Sequence, residues 1–70
     1  MGYAETIRLA AARRGRIGYD VRLIEAWMRV EHPTLDALSA SQFEHEVEVA
    51  CGCIDRDPGM STKLADSFGL

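Results

Sequence analysis

Leu38-Ser39-Ala40-Ser41-Gln42-Phe43-Glu44-His45-Glu46-Val47-Glu48-Val49-Ala50-Cys51-Gly52-Cys53-Ile54-Asp55-Arg56 is the stretch that decides the fold class. Ser39 and Gln42 have the spacing of a capping box, in which the serine hydroxyl accepts from the amide three residues on and the glutamine side chain accepts from the serine amide. Leu38 and Phe43 occupy the two positions of a hydrophobic staple around the same boundary. Downstream, Ala40, Phe43, Val47, Ala50, Cys51 and Ile54 follow the i, i+3, i+7, i+10, i+11, i+14 series of one helix face, with Glu44, Glu46, Glu48 and Asp55 mostly elsewhere. Phe43 to Val49 also hints at the alternation of a strand. Two capping devices at one boundary outweigh it, and the stretch reads as an amphipathic helix.

Upstream, Pro33 disfavours helical geometry at His32 and closes a second helix from Val21 to about Glu31, with Asp20 as its N-cap. Its apolar residues Val21, Leu23, Ile24, Trp27, Met28 and Val30 form a stripe broad enough for a central, largely buried helix. Thr34 can cap a short turn that carries Leu35 and Leu38 to the core. Further upstream, Ala4 to Arg14 is rich in helix formers and ends at Gly15 and Gly18, with arginines where the helix dipole favours cations. Its inward positions Ala4, Ile7, Ala10 and Ala11 are mostly small. Beyond the deciding stretch, Asp57-Pro58-Gly59 reads as a turn, Ser61 as the cap of a last helix with Leu64, Ala65 and Phe68 inward, and Gly69 as its left-handed stop. The expectation is an all-α fold, a small compact bundle of three to four short helices, with residues 1–70 a single helical domain.

Composition agrees with a folded chain. The 47% hydrophobic and 27% charged fractions of these 70 residues are those of a globular domain, since disorder needs few apolar residues and high net charge. A chain this short buries only roughly 60% of its unfolded surface, so self-association would help it. No uncharged stretch approaches the about 20 residues of a membrane span, and charges sit where a signal core would be, so the chain reads as cytoplasmic, with no membrane partner. Cys51 and Cys53 cannot form the bridge framework of small secreted domains. Two residues apart on a helix they point about 200° away from each other, and they read as free thiols in a reducing compartment.

Metal and catalytic chemistry find little support. His32 and His45 are thirteen residues apart and the C-x-C pair diverges, unlike the ligand pairs of structural zinc sites. Both thiols lie near a helix C-terminus beside Asp55 and Asp57, where a nucleophilic thiolate is disfavoured. Glu44 and Glu48 share a face at i, i+4, but a bundle metal site needs such carboxylates from several helices. Phosphate-binding glycine loops and hydrolase motifs do not occur. The expectation is a protein that is not an enzyme and uses no cofactor or metal.

Charge distribution is more informative. Residues 1–30 carry Arg8, Arg13, Arg14, Arg16, Arg22 and Arg29 against three acids, giving +3, whereas residues 31–70 carry −6, for a net charge of −3. Arg8, Arg13, Arg14 and Arg16 form the candidate nucleic-acid face, since guanidinium suits bidentate phosphate contact. The same cluster can equally pair with the glutamates of the third helix. The run Ser61–Leu70 is similar to the first helix and turn of a helix-turn-helix, with an inward alanine and a glycine opening the turn. That resemblance spans ten residues, ends where a recognition helix would begin, and is equally met by a capped helix with a glycine stop.

The functional expectation is a non-catalytic helical protein that binds another macromolecule, as an adaptor, regulator or inhibitor of the kind found among phage and plasmid accessory proteins. The partner is a protein or a second copy of the chain, met through an acidic face at Glu44 and Glu48 or an apolar patch at Trp27, with Met28 and Phe43 the other large apolar residues to locate. The alternative is nucleic-acid binding through the arginine cluster.

Overall fold

Helices α1 (Ala4–Arg13), α2 (Val21–Glu31), α3 (Ala40–Arg56) and α4 (Pro58–Phe68), with a 3-10 turn at Leu35–Ala37, make up the computed structural model, which describes residues 2–70. No strand occurs among the described residues. The α2 helix is central and packs most extensively against α3 and α4, while α1 lies on α2 and α3. The radius of gyration of 10.7 Å is close to the about 11 Å of a compact chain of this length. No helix among the described residues is long and apolar enough to cross a membrane.

Four of the sequence signals at element ends are realised atom by atom. Ser39 Oγ accepts from the Gln42 amide at 3.3 Å and Gln42 Oε1 accepts from the Ser39 amide at 3.0 Å, completing the capping box. Asp20 Oδ1 accepts from the Arg22 amide at 3.0 Å at the head of α2. Gly15, at φ +74°, ends α1 in a Schellman motif, with Arg16 N–H donating to Ala11 O and Gly15 N–H to Ala12 O. Gly69, at φ +75°, repeats that arrangement on Ala65 and Asp66 at the end of α4.

The core gathers Ile7, Ala10 and Ala11 of α1, Ile24 and Met28 of α2, Leu35, and Phe43, Val47, Ala50, Cys51 and Ile54 of α3. Met28 and Phe43 are therefore core residues, at 1% and 8% exposure. Ala4 and Ala40, placed inward by periodicity, are exposed because each is the first residue of its helix, before the axis has reached the core. Thr34 makes no side-chain cap bond at the 3-10 turn, although Leu35 does reach the core.

The last helix departs furthest from expectation. Asp57-Pro58-Gly59 is no turn: Asp57 closes α3 and also caps α4, accepting from the Met60 amide at 3.0 Å, with Pro58 as the first helical residue. Proline suits that position because its φ is preset and its missing N–H would have had no partner. Ser61 is consequently not a cap but a helix-interior residue with no exposed surface. Its hydroxyl donates to Asp57 O at 2.9 Å and accepts from Trp27 Nε1 at 2.7 Å. Starting earlier also turns the helix, so Ala65 is buried, Leu64 half-buried, and Phe68, expected inward, is 44% exposed.

Candidate functional site

The arginine cluster and the acidic face meet each other. Arg13 pairs with Glu44, Arg14 lies 3.8 Å from both Glu44 and Glu48, and Arg16 pairs with Glu48 and, at 3.2 Å, with Asp55. Tyr19 joins the far end, donating to Asp55 Oδ1 at 2.7 Å and accepting from Arg16 Nη1 at 3.2 Å. The Asp55 carboxylate holds the Tyr19 hydroxyl above its ordinary pKa, and the Glu48 carboxylate raises that of Arg16. Helical spacing explains the match: Glu44 and Glu48 lie one turn apart on α3, facing the C-terminal end of α1. Arg8 stands apart, paired with Glu5 one turn away on α1.

Exposed ion pairs each add little stability, but here three guanidiniums face three carboxylates along the contact of α1 with α3. Replacing both Glu44 and Glu48 with Lys is expected to destabilise that seam. The thermal midpoint should fall at roughly 0.01 M salt and recover in part at roughly 1 M, as the screening length drops from about 30 to about 3 Å. Adding Arg13→Glu and Arg16→Glu should restore it in part at low salt, since Arg14 still faces both lysines and Asp55 then faces a glutamate. An unchanged midpoint in the doubly reversed protein would mean that the seam carries no register information.

A second polar cluster was not foreseen. Glu25 is 8% exposed on α2 and accepts from Arg29 Nε at 2.9 Å, while Arg29 Nη1 donates to Pro33 O and its guanidinium lies 5.5 Å from the centre of the Tyr3 ring. Tyr3 in turn donates to Asp36, whose carboxylate raises the Tyr3 pKa. The Glu25-to-Arg29 spacing of i, i+4 was the available signal. These groups satisfy one another and tie the start of α1 to the end of α2.

The thiols and imidazoles are dispersed. Cys51 is fully buried, and burial pushes its thiol up to about 11, which keeps it protonated. Cys53 is half-buried and accepts from Arg56 Nη2 at 3.3 Å. His45 is exposed, and His32 Nε2 lies 3.5 Å from Glu46 Oε2. No group of three or more His, Cys, Asp or Glu residues that could hold a metal occurs among the described residues.

Three concavities stand out among the described residues. One of about 330 Å3 lies between the start of α1 and the start of α3, walled by Tyr3, Arg13, Asp36, Phe43 and Glu44. Another, of about 310 Å3, lies at the elbow between α1 and α2 beneath Ile17. Their charged walls are already paired: Tyr3 with Asp36 and Arg13 with Glu44 in the first, Arg8 with Glu5 and Arg16 with Glu48 in the second.

The third differs. It is a groove of about 90 Å3 between α2 and α3, lined by Trp27, Val30, Glu31, Glu46, Val49, Ala50 and Cys53. Val30 and Val49 are 49% and 44% exposed on its two walls, and Trp27 is half-buried in it, its indole N–H fixed by Ser61. Glu31 makes no ion pair among the described residues. Set beside protein-family models, curated proteins and solved structures, the chain matches none.

Of the sequence candidates, then, Glu44 and Glu48 are brought together with Arg13, Arg14 and Arg16, while Trp27 sits in a separate groove. Val30 and Val49 were not singled out as site residues. Val49 was the legible one, because it falls off the buried stripe of α3 and an aliphatic residue there has no core to enter.

Proposed function

We propose that this chain is a non-catalytic helical module that works in the cytoplasm by binding another macromolecule, and that the macromolecule is a protein. One observation carries the reading: the α2–α3 groove exposes Val30 on one wall and Val49 on the other, with a half-buried Trp27 in its lining. Exposed contiguous apolar surface is where soluble proteins meet partners, and a tryptophan held in a fixed rotamer is the residue type that most often anchors such contacts. The acidic face at Glu44 and Glu48 supports this reading less well, since a partner would have to displace three arginines to reach it. The same pairing weakens the case for nucleic-acid binding. Phosphates would compete with carboxylates for Arg13, Arg14 and Arg16, leaving Arg8 the most accessible member of the cluster.

Affinity capture of the tagged chain from its host lysate, with and without nuclease, tests the reading against Val30→Asp with Val49→Asp. A specific protein recovered in both arms and lost with the double variant is the expected result. Recovery that vanishes with nuclease would transfer the function to the arginines. A concentration-dependent dimer that the double variant abolishes would make the partner a second copy.

A further inference from the structure

We propose, building on the protein-binding reading, that the Trp27 groove takes one face of a basic amphipathic helix of the partner, with an aliphatic side chain seated between Val30 and Val49 and a Lys or Arg against Glu31 and Glu46. Size excludes other occupants first. Small-molecule sites run to about 300–1,000 Å3, whereas this groove of about 90 Å3 has room for a single aliphatic side chain. Both walls are helices, and no sheet edge occurs among the described residues for an incoming strand to extend, so the groove recognises side chains rather than backbone, as helix-in-groove contacts do.

Charge then selects the helix. Every arginine of the N-terminal half is paired with a carboxylate away from this groove: Arg8 with Glu5, Arg13, Arg14 and Arg16 with α3, Arg22 with Asp20, Arg29 with Glu25. Among the described residues, no Lys or Arg lines the groove itself, and its two carboxylates, Glu31 and Glu46, have only the His32 imidazole within ion-pair reach, at 3.5 Å from Glu46. The C-terminal end of the α2 dipole adds partial negative charge at the same place. The nearest cation along α3, Arg56, meets only the far end of the groove, where its guanidinium donates to Cys53 Sγ, seven residues and about 10 Å along the axis past Glu46. The groove therefore has an acidic end and an apolar middle, the complement of a helix with aliphatic residues at i, i+3 and i+4 and basic residues beside them.

The test uses two amidated peptides of about 15 residues, long enough to be helical, with leucines at that spacing and either lysines or glutamates elsewhere. Each is titrated into the isotope-labelled full chain and followed by amide and indole resonances. The lysine peptide is expected to shift, saturably, the Trp27 indole N–H and the amides of Val30, Glu46, Val49 and Cys53, and the glutamate peptide to shift none of them. Glu31→Gln with Glu46→Gln should weaken the lysine peptide by about tenfold, and Val30→Asp should abolish it. Equal binding of both peptides, shifts confined to another face, no binding, or full affinity in the neutralised variant would each overturn the proposal. A lysate partner lost with Val30→Asp but retained when Glu31 and Glu46 are neutralised would keep the protein-binding reading and reject the basic helix. Failure to capture any protein, with the lysine peptide still bound in the groove, would reject the broader reading alone.

Discussion

Ile24→Ala is expected to leave most of the chain unfolded at room temperature. Ile24 has no exposed surface and stands on the central helix within the cluster that joins α1, α2 and α3. Truncating a buried isoleucine costs about 2–5 kcal/mol, the removed methyl groups and the cavity both contributing. A domain of this size commonly has only about 3–5 kcal/mol to lose, because so little of its surface is interior. Far-UV circular dichroism during a urea titration reads the outcome. A cooperative transition at the wild-type midpoint would mean that α1 and α3 collapse onto the vacated space, and that the core tolerates loss at its centre.

Ser61→Leu is expected to have a comparable effect by the opposite route. Ser61 is fully buried where α4 meets α2, and the buried residues of α4 are Ser61 and Ala65, both small. A leucine there must push the helices apart, at about 1–3 kcal/mol, and it also removes the acceptor of the Trp27 indole N–H. Leaving that donor without a partner adds up to about 1–3 kcal/mol, less to the extent that water reaches the half-buried ring. Ser61→Ala separates the two effects, since it loses the hydrogen bonds without overpacking. Thermal melts monitored by Trp27 fluorescence should rank wild type, Ser61→Ala, then Ser61→Leu. A Ser61→Leu variant as stable as wild type would show that α4 does not depend on a close approach at this seam.

Both residues illustrate what local pattern can and cannot convey. Ile24 was readable because it belongs to a stripe whose period matches the helix. Ser61 was not: a serine three residues after a proline is as good a cap as it is a small interior residue, and the choice depends on Trp27, thirty-four residues away. The same limit applied to the surface. Arg13, Arg14 and Arg16 form a phosphate-ready cluster when the chain is read in order, and an internal counterpart to Glu44 and Glu48 once α1 lies on α3. Val30 and Val49 belong to separate helices, and nothing local makes them neighbours.

The order of the helices, the Ser39 box, the Asp20 cap and the glycine stops at Gly15 and Gly69 were all determined by sequence alone, because caps and helical periodicity act within a few residues. Tertiary structure decided the rest: which charges cancel, that Glu25 is buried with Arg29, that Ser61 holds Trp27, and that two valines and a tryptophan make a groove with an acidic end. These are contacts between residues far apart in the chain. Their energies depend on packing and on burial from water, which exist only once the helices have assembled.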